Sequence, residues 1–189
     1  MLIEPAKPAD VASIVAIHCD ALRDDVLPSL GPAFLHDFYS WAITRPDQHL
    51  AVARYGDRVE GFCLLSLRPL SVTRVLRPKH LAALARVGIV RPRLVASAIV
   101  QMTKPTVSDW HDAAEIAFIA VDPRMTGQGI GRFLMDEAAS VARENGRRQV
   151  ATKTANTRLA QYYVRVYGAR IKTTFRAAGR AYSVLEWSA

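Results

Sequence analysis

Residues 114–132 carry the sequence AEIAFIAVDPRMTGQGIGR, and this stretch decides the fold. Its first eight residues are apolar except for Glu115, a pattern typical of a buried central strand. Asp122-Pro123 ends that run, and three glycines follow at alternate positions. The next residues have helical periodicity up to a stop at Asn145-Gly146. The stretch therefore predicts a strand, a glycine loop and a long helix. The apolar residues expected on the buried face of that helix are Phe133, Leu134, Ala138 and Val141.

The glycine loop is predicted to hold a phosphate group. Glycines let a backbone curl with its N–H groups pointing inward, and free N–H groups at a helix N-terminus favour an anion. A P-loop would need a Gly-Lys-Ser/Thr sequence, which is absent here. The dinucleotide-binding pattern G-x-G-x-x-G would place the third glycine one position after Gly131. The loop differs from both patterns, and a pyrophosphate is its expected ligand.

The rest of the chain is predicted to alternate strands and helices around this segment. Before it come a short strand at 2–4, helices at 11–22 and 32–44, and an antiparallel hairpin at 49–54 and 59–67. After it come a strand at 149–154, a helix at 157–167, and a hairpin at 169–175 and 181–187. Asp10 is predicted to cap the first helix, because an aspartate side chain accepts hydrogen bonds from the free N–H groups there.

Residues 68–110 interrupt this order with two predicted helices, at 79–87 and 93–102. Segment 61–108 carries 8 basic and no acidic side chains, as much excess charge as the net +8 of the whole chain. A basic surface attracts anions, but the basic residues are not interleaved with aromatic ones, which argues against nucleic acid as a partner. The insertion is expected to pack on the domain with a solvated basic face. A lid, a dimer contact and the wall of a substrate entrance are the alternatives.

The loop resembles the acetyl-CoA loop of the GNAT acetyltransferase superfamily. In that family a Gln/Arg-x-x-Gly-x-Gly/Ala pattern opens the helix, and its backbone amides bind the CoA pyrophosphate. Gly129 and Gly131 match the two glycine positions, and Thr126 stands at the Gln/Arg position. Arg124 could add positive charge. The resemblance implies a cofactor-binding set of Thr126, Gly127, Gln128, Gly129, Ile130, Gly131 and Arg132.

The predicted order of elements is also similar to that of GNAT proteins over nearly the whole chain. It implies an α/β (α+β) fold with a mixed, mostly antiparallel central sheet flanked by helices. Residues 1–189 would form a single domain, with the insertion at 68–110 between the third and fourth strands. Acetyl-CoA would be the co-substrate. No metal is expected, because the five histidines lack convincing ligand spacing.

Asn156 and Tyr163 are similar to the family's C-terminal CoA segment, commonly N-x-x-A-x-x-x-Y-x-x-x-G-F. Ala160 stands one place late and Tyr163 lies five residues before Gly168 instead of four, so Tyr162 is the alternative for the tyrosine. The resemblance implies that Asn156 orients CoA near its sulfur and that Tyr163 protonates the leaving thiolate. Ile119 and Val121 would contact the pantetheine arm through their backbone groups.

Acetyl transfer to an aliphatic amine requires a base, because the amine is protonated at neutral pH. Glu115 is the best candidate, since desolvation in an apolar strand tends to raise a carboxyl pKa toward the useful range. The sequence Ala114-Glu115-Ile116 also resembles the strand that carries the base in histone acetyltransferases of the family. Asp112 and His111 are alternative bases near the same strand end.

These observations predict an acetyl-CoA-dependent N-acetyltransferase that uses direct transfer in a ternary complex. The alternative is a non-catalytic acyl-CoA-binding regulatory module. The acceptor would be a small-molecule or peptide amine, and homodimers are common in the family. No apolar run is long enough to span a membrane, the N-terminus lacks a signal-peptide layout, and Cys19 and Cys63 suit a reducing cytoplasm. In this family the first two helices border the acceptor pocket, which would involve Asp24, Asp25, Leu30, Phe34 and Tyr39.

Overall fold

The computed structural model describes residues 1–23, 25–70, 72–177 and 179–189. The strands are β1 (Leu2–Pro5), β2 (Gln48–Tyr55), β3 (Arg58–Ser66), β4 (Ala113–Val121), β5 (Gln149–Thr154), β6 (Arg170–Ala177) and β7 (Arg180–Ser188). The helices are α1 (Val11–Ala21), α2 (Val26–Ser29), α3 (Pro32–Ile43), α4 (Leu81–Val90), α5 (Pro92–Thr103), α6 (Ile130–Glu144) and α7 (Thr157–Tyr167). The predicted elements are present, and α2 is an additional short helix.

The described strands form a sheet in the order β1-β2-β3-β4-β5-β7-β6. Neighbouring strands are antiparallel except β4 and β5, which run parallel. The predicted mixed, mostly antiparallel sheet with flanking helices is confirmed. Helices α4 and α5 form the predicted insertion between β3 and β4.

Strands β4 and β5 pair only at their beginnings. Their ladder joins residues 113–115 to residues 149–151, and the two strands separate beyond Glu115 and Ala151. At the point of separation the Thr152 hydroxyl donates to the carbonyl oxygen of Ile116 at 2.9 Å. On the other edge of β4 the register with β3 shifts between Ile116 and Phe118, which bulges Ala117. The sheet therefore opens into a cleft along the second half of β4.

Among the described residues, two large apolar cores fill the two faces of the sheet. One lies between the sheet and helices α1 and α3, with Phe34, Phe38 and Tyr39 at its centre. The other lies under α6 and α7 and includes Leu134, Tyr163 and Trp187. Because β4 contributes side chains to both cores, its backbone is fixed from both sides beside the cleft.

Two local predictions are wrong. The Asp10 carboxylate makes no cap hydrogen bond to α1; it accepts from the Lys7 backbone N–H at 2.8 Å and from the Arg54 guanidinium at 2.6 Å. The ion pair with β2 and the tight turn at Pro8–Asp10 replace the cap. Phe133 is 52% exposed, because the buried stripe of α6 runs through Ile130, Leu134 and Ala138 instead.

The core under α1 contains a buried histidine. His18 Nδ1 and the Tyr39 hydroxyl are 2.5 Å apart, and the imidazole stacks on Phe62. Burial lowers the pKa of His18 to about 4, because the apolar surroundings disfavour the charged form. His18 is therefore neutral in the folded protein at neutral pH.

Acidification from pH 7 to pH 4.5 is expected to destabilise the protein by about 2–3 kcal/mol through His18. The unfolded chain binds a proton at His18 below the ordinary pKa of 6.5, whereas the folded protein excludes it down to about pH 4. The free energy of unfolding is therefore unaffected by titration of His18 above about pH 6.5 and falls as the pH drops from 6.5 toward 4. Urea unfolding at both pH values measures it.

His18→Gln keeps a hydrogen-bond acceptor for Tyr39 but cannot titrate, so it should lose this part of the pH dependence. His36→Gln makes the same change at an exposed position of α3 and should leave the dependence as it is. An unchanged pH dependence in His18→Gln would show that the buried histidine does not carry the effect.

Candidate active site

The glycine loop, residues 122–129, leaves β4 at the cleft and leads into α6. Its first turn is rigid: the Asp122 N–H donates to Glu60 O at 2.8 Å, and the Met125 N–H donates to Asp122 O at 2.8 Å. The Arg124 side chain and backbone N–H both donate to the Asp122 carboxylate, which holds the pKa of Asp122 at about 2. Asp122 is therefore ionised and fixes the start of the loop.

The second half of the loop presents unpaired backbone N–H groups. Within the described residues, the N–H groups of residues 126–131 have no hydrogen-bond partner. Gly127 and Gly129 have φ of 88° and 78°, a left-handed conformation that glycine adopts without strain. These groups sit at the N-terminus of α6, where the helix dipole adds positive potential. The arrangement suits a pyrophosphate.

The charged side chains of the loop are less available than the sequence suggested. Arg124 binds the Asp122 carboxylate, and Arg132 Nε lies 3.8 Å from Asp136 within α6. Thr126 and Gln128 are exposed. The backbone, more than the arginine side chains, therefore gives the loop its capacity for anions.

The cleft between β4 and β5 lies next to the loop. Ile119 and Val121 are half-buried on β4, beyond the last residue paired with β5. Alternate backbone groups in this part of β4 pair with β3, and the others face the cleft. The predicted pantetheine contacts at Ile119 and Val121 thus fall on backbone that β5 leaves unpaired.

Glu115 stands at the closed end of the cleft. It is half-buried and is the last residue of β4 that pairs with β5. Lys153 lies on the same face of the sheet, close enough for the Glu115 charge to act on it. Burial lowers the pKa of Lys153, and Glu115 opposes that shift. Lys153 Nζ donates to Gln101 O of α5 at 3.1 Å.

Sequence reasoning did not single out Lys153 or Gln101. The alternation of β5 puts Lys153 on the face of Ala151, but only the pairing of β4 with β5 brings it to Glu115. The placement of α5 on this face has no local sequence signal.

Tyr163 lies in the core under α7 and is 2% exposed. Its ring stacks on Trp187 with centroids 5.6 Å apart, and burial raises the pKa of its hydroxyl above the usual range. Within the described residues this hydroxyl makes no hydrogen bond. Tyr162 is half-buried and packs edge-on against Tyr163. Of the two, Tyr163 is the better shielded from water.

Asn156 caps α7 at the end of β5. Its side-chain oxygen accepts from the Leu159 N–H at 3.1 Å, and its own N–H donates to Thr154 Oγ1 at 3.0 Å. The structure therefore gives Asn156 a capping role and places it at the same edge of the sheet as the glycine loop, because β4 and β5 run parallel.

Asp112 and His111 lie away from the cleft. Asp112 pairs with Arg148 ahead of β4, and His111 is exposed in the turn before it. Both precede the paired part of β4 and β5, on the side away from the opening. Leu30, Phe34 and Tyr39 are buried in the core under α1 and α3, and Asp24 lies outside the described residues. Asp25 is half-buried just before α2.

A family model for the acetyltransferase (GNAT) family matches residues 13–169, most of the chain. The match includes the glycine loop, the cleft strands and α7. This chain belongs to the GNAT family.

Solved structures share the GNAT fold over the full length of the chain. Ribosomal-protein-alanine N-acetyltransferase from Brucella melitensis superposes with a TM-score of 0.67 at 18% identity, covering 100% of both chains. The structure of yncA from Salmonella typhimurium with its cofactor acetyl-CoA gives a TM-score of 0.63 at 13% identity, covering 99% of this chain and 92% of that one. At these identities the likeness shows the fold.

A curated relative is similar over a shorter segment. Amino-acid acetyltransferase from Mycobacterium tuberculosis is 44% identical over 48 residues, which are 25% of this chain and 28% of the relative. The match thus spans little more than a quarter of the relative's length.

In the described part of the chain, no group of three or more His, Cys, Asp or Glu residues is placed to hold a metal ion. None of the helices in those same ranges is both long and apolar enough to cross a bilayer.

Proposed function

We propose that this GNAT protein is an N-acetyltransferase that moves the acetyl group of acetyl-CoA to a primary amine in a ternary complex. The observation that carries the proposal is the series of unpaired N–H groups over residues 126–131, beside a cleft whose closed end holds Glu115. The loop supplies an anion site, and the cleft leads from it to a half-buried carboxylate.

Binding of acetyl-CoA would rest mainly on the backbone. The pyrophosphate accepts hydrogen bonds from the amides of residues 126–131, and the pantetheine arm lies in the cleft along Ile119 and Val121. Asn156, at the N-cap of α7, would orient CoA near its sulfur. A site made of backbone N–H groups at a helix N-terminus binds an anion without needing many charged side chains.

The chemistry would use two side chains. The Glu115 carboxylate takes a proton from the ammonium form of the acceptor, directly or through a water molecule. The neutral nitrogen attacks the thioester carbonyl carbon, a C–N bond forms, and the C–S bond breaks. Tyr163, whose raised pKa keeps its hydroxyl protonated, gives its proton to the leaving thiolate, and the second proton of the attacking nitrogen returns through water to the Tyr163 oxygen. Tyr162 is the alternative donor one position earlier.

Residues 1–189 would act as one acetyltransferase domain on a small-molecule or peptide amine. The names of the Brucella and Mycobacterium proteins support amine acceptors of these kinds. A cytoplasmic location is supported by Cys19 and Cys63, both of which are free thiols.

Acetyl-CoA is expected to stabilise the protein against heat, whereas NADH and ATP should not. At about 100 times its dissociation constant, a ligand that binds only the folded state adds about 2.7 kcal/mol, or roughly 5–10 °C for a chain of this size. An amine screen for release of free thiol then tests transfer. Stabilisation without thiol release for any amine would favour an acyl-CoA-binding regulatory module. No stabilisation by acetyl-CoA or by longer acyl-CoAs would contradict both functions.

A further inference from the structure

A cavity of about 460 Å³ lies between the α4–α5 turn and the β6–β7 hairpin. Arg91 and Arg93 line it from the start of α5, and Arg180 lines it from the start of β7. Its described lining contains no acidic side chain. Arg91 donates to Ser29 Oγ of α2 at 3.1 Å, which ties this wall to the N-terminal helices.

Two of the three arginines are free to bind a ligand. Within the described residues, the side chains of Arg93 and Arg180 make no hydrogen bond or ion pair, and both are exposed at the cavity. A guanidinium group has five N–H donors and matches carboxylate and phosphate oxygens in a bidentate geometry. The rim of the cavity therefore supplies positive charge that no carboxylate of the described chain neutralises.

Buried hydroxyl groups complete the lining. Ser97 is 3% exposed and Tyr182 is 7% exposed, and both line the cavity. The oxygen of each accepts a hydrogen bond from Gln101 Nε2, at 3.2 Å and 3.3 Å. Because each hydroxyl oxygen accepts its hydrogen bond from Gln101, the hydroxyl protons of Ser97 and Tyr182 remain available to donate. No partner for them occurs among the described residues. The cavity thus offers donors and cations to an anion.

The cavity is connected to the candidate active site. Gln101 accepts from Lys153 Nζ, and Lys153 lies beside Glu115 on the same face of the sheet. In β7, Glu186 is level with Ala151, the partner of Glu115, and Tyr182 is four residues further along. At about 3.3 Å per residue this offset along β7 is roughly 13 Å, and the two strand spacings of about 4.8 Å between β4 and β7 bring the separation of Glu115 and Tyr182 to roughly 16 Å. A small elongated molecule can span it.

We propose that this cavity binds a carboxylate or phosphate group of the amine acceptor, on the order of 10 Å from the amine that reacts near Glu115. The proposal rests on the proposed function, because it assigns the acceptor end of that site. It gives the helical insertion a role in specificity: α5 and β7 together supply the anion-binding residues, whereas the glycine loop binds acetyl-CoA. An α-amino acid is too short for its amine to react near Glu115 while its own carboxylate binds in this cavity.

Three amines of matched length test the proposal: 8-aminooctanoate, 8-aminooctyl phosphate and the neutral 8-aminooctanamide. We expect kcat/KM for at least one anionic amine to exceed that of the amide by roughly 10–100-fold, the range for hydrogen bonds to charged groups. The better of the two anionic amines identifies carboxylate or phosphate. The preference should shrink at high salt, because exposed charges are screened.

Arg180→Glu should abolish the preference for anions, and Arg93→Glu is the second variant in case the first does not fold. Arg176→Glu makes the same change in an exposed residue of the same hairpin, outside the described lining, and should preserve the preference. Acetyl-CoA stabilisation should be unchanged in all three. Equal use of the neutral amide, or loss of acetyl-CoA binding in Arg180→Glu and Arg93→Glu, would overturn the proposal.

Calorimetric titration with the same three amines in the presence of CoA separates the two proposals. Tight binding of an anionic amine, lost in Arg180→Glu but without turnover, would retain the anion site and reject the acetyltransferase function. Turnover of all three amines at similar rates would retain the function and reject the anion site.

Discussion

Glu115→Gln is expected to lower kcat for acetyl transfer by a factor of roughly 10²–10⁴ at pH 7, the range for a lost general base. Glutamine has the same shape and fits the same strand position but cannot accept the proton of the ammonium group. Acetyl-CoA binding should not change, because Glu115 lies at the closed end of the cleft and the loop lies at the other end of β4. Thiol release at saturating acetyl-CoA measures the rate, and thermal stabilisation measures binding.

Glu186→Gln is the matched control for this variant. Glu186 is a half-buried carboxylate on the same face of the sheet, but it pairs with Lys172 and lies outside the cleft. The kcat of Glu186→Gln for acetyl transfer should stay within a few-fold of the wild-type value. With an acceptor amine that is already neutral at pH 7, the difference in kcat between the wild type and Glu115→Gln should be smaller, because no base is needed to remove a proton. A normal rate in Glu115→Gln with an aliphatic amine would remove Glu115 from the mechanism.

Gly129→Val is expected to weaken acetyl-CoA binding by at least tenfold. Gly129 has φ of 78°, where a residue with a Cβ costs about 1–2 kcal/mol and a β-branched residue costs more. The loop would relax to another conformation, and its N–H groups would no longer converge at the start of α6. Calorimetric titration with acetyl-CoA gives the affinity directly.

Gly131→Ala is the control for the loop. A Cβ at Gly131 would lie 3.8 Å from Val121 Cγ2, an ordinary contact, and the backbone there is helical. This variant should keep its affinity within a few-fold and its thermal stability near that of the wild type. If Gly129→Val folds and binds acetyl-CoA as tightly as Gly131→Ala, the loop is not the pyrophosphate site.

The central part of the fold could be predicted because its signals are local. The strand, the alternate glycines and the helix of residues 114–144 each depend on residues a few positions apart, and the structure contains all three. Asp10 was assigned wrongly because its partner, Arg54, is 44 positions away and competes with the helix N-terminus. Phe133 was assigned wrongly because the apolar pattern of a helix does not show where its buried stripe ends.

The acceptor side could not be predicted from the sequence. Lys153, Gln101 and Tyr182 come from β5, α5 and β7, and only the pairing of β5 with β7 and the packing of α5 bring them together. The sequence did show that segment 61–108 is basic without acidic residues. Which of its arginines face a cavity depends on the turn between α4 and α5.

The hydrogen bond from Thr152 to the Ile116 carbonyl bears on the thermodynamics of ligand binding. This hydroxyl satisfies the first carbonyl group of β4 that the β5 backbone would otherwise pair with. Further pairing of the two strands would therefore stabilise the protein less. A slot held apart in this way is ready before the ligand arrives. A ligand that binds there does not have to separate the strands, so none of the free energy of its contacts is lost to that step and all of it contributes to affinity.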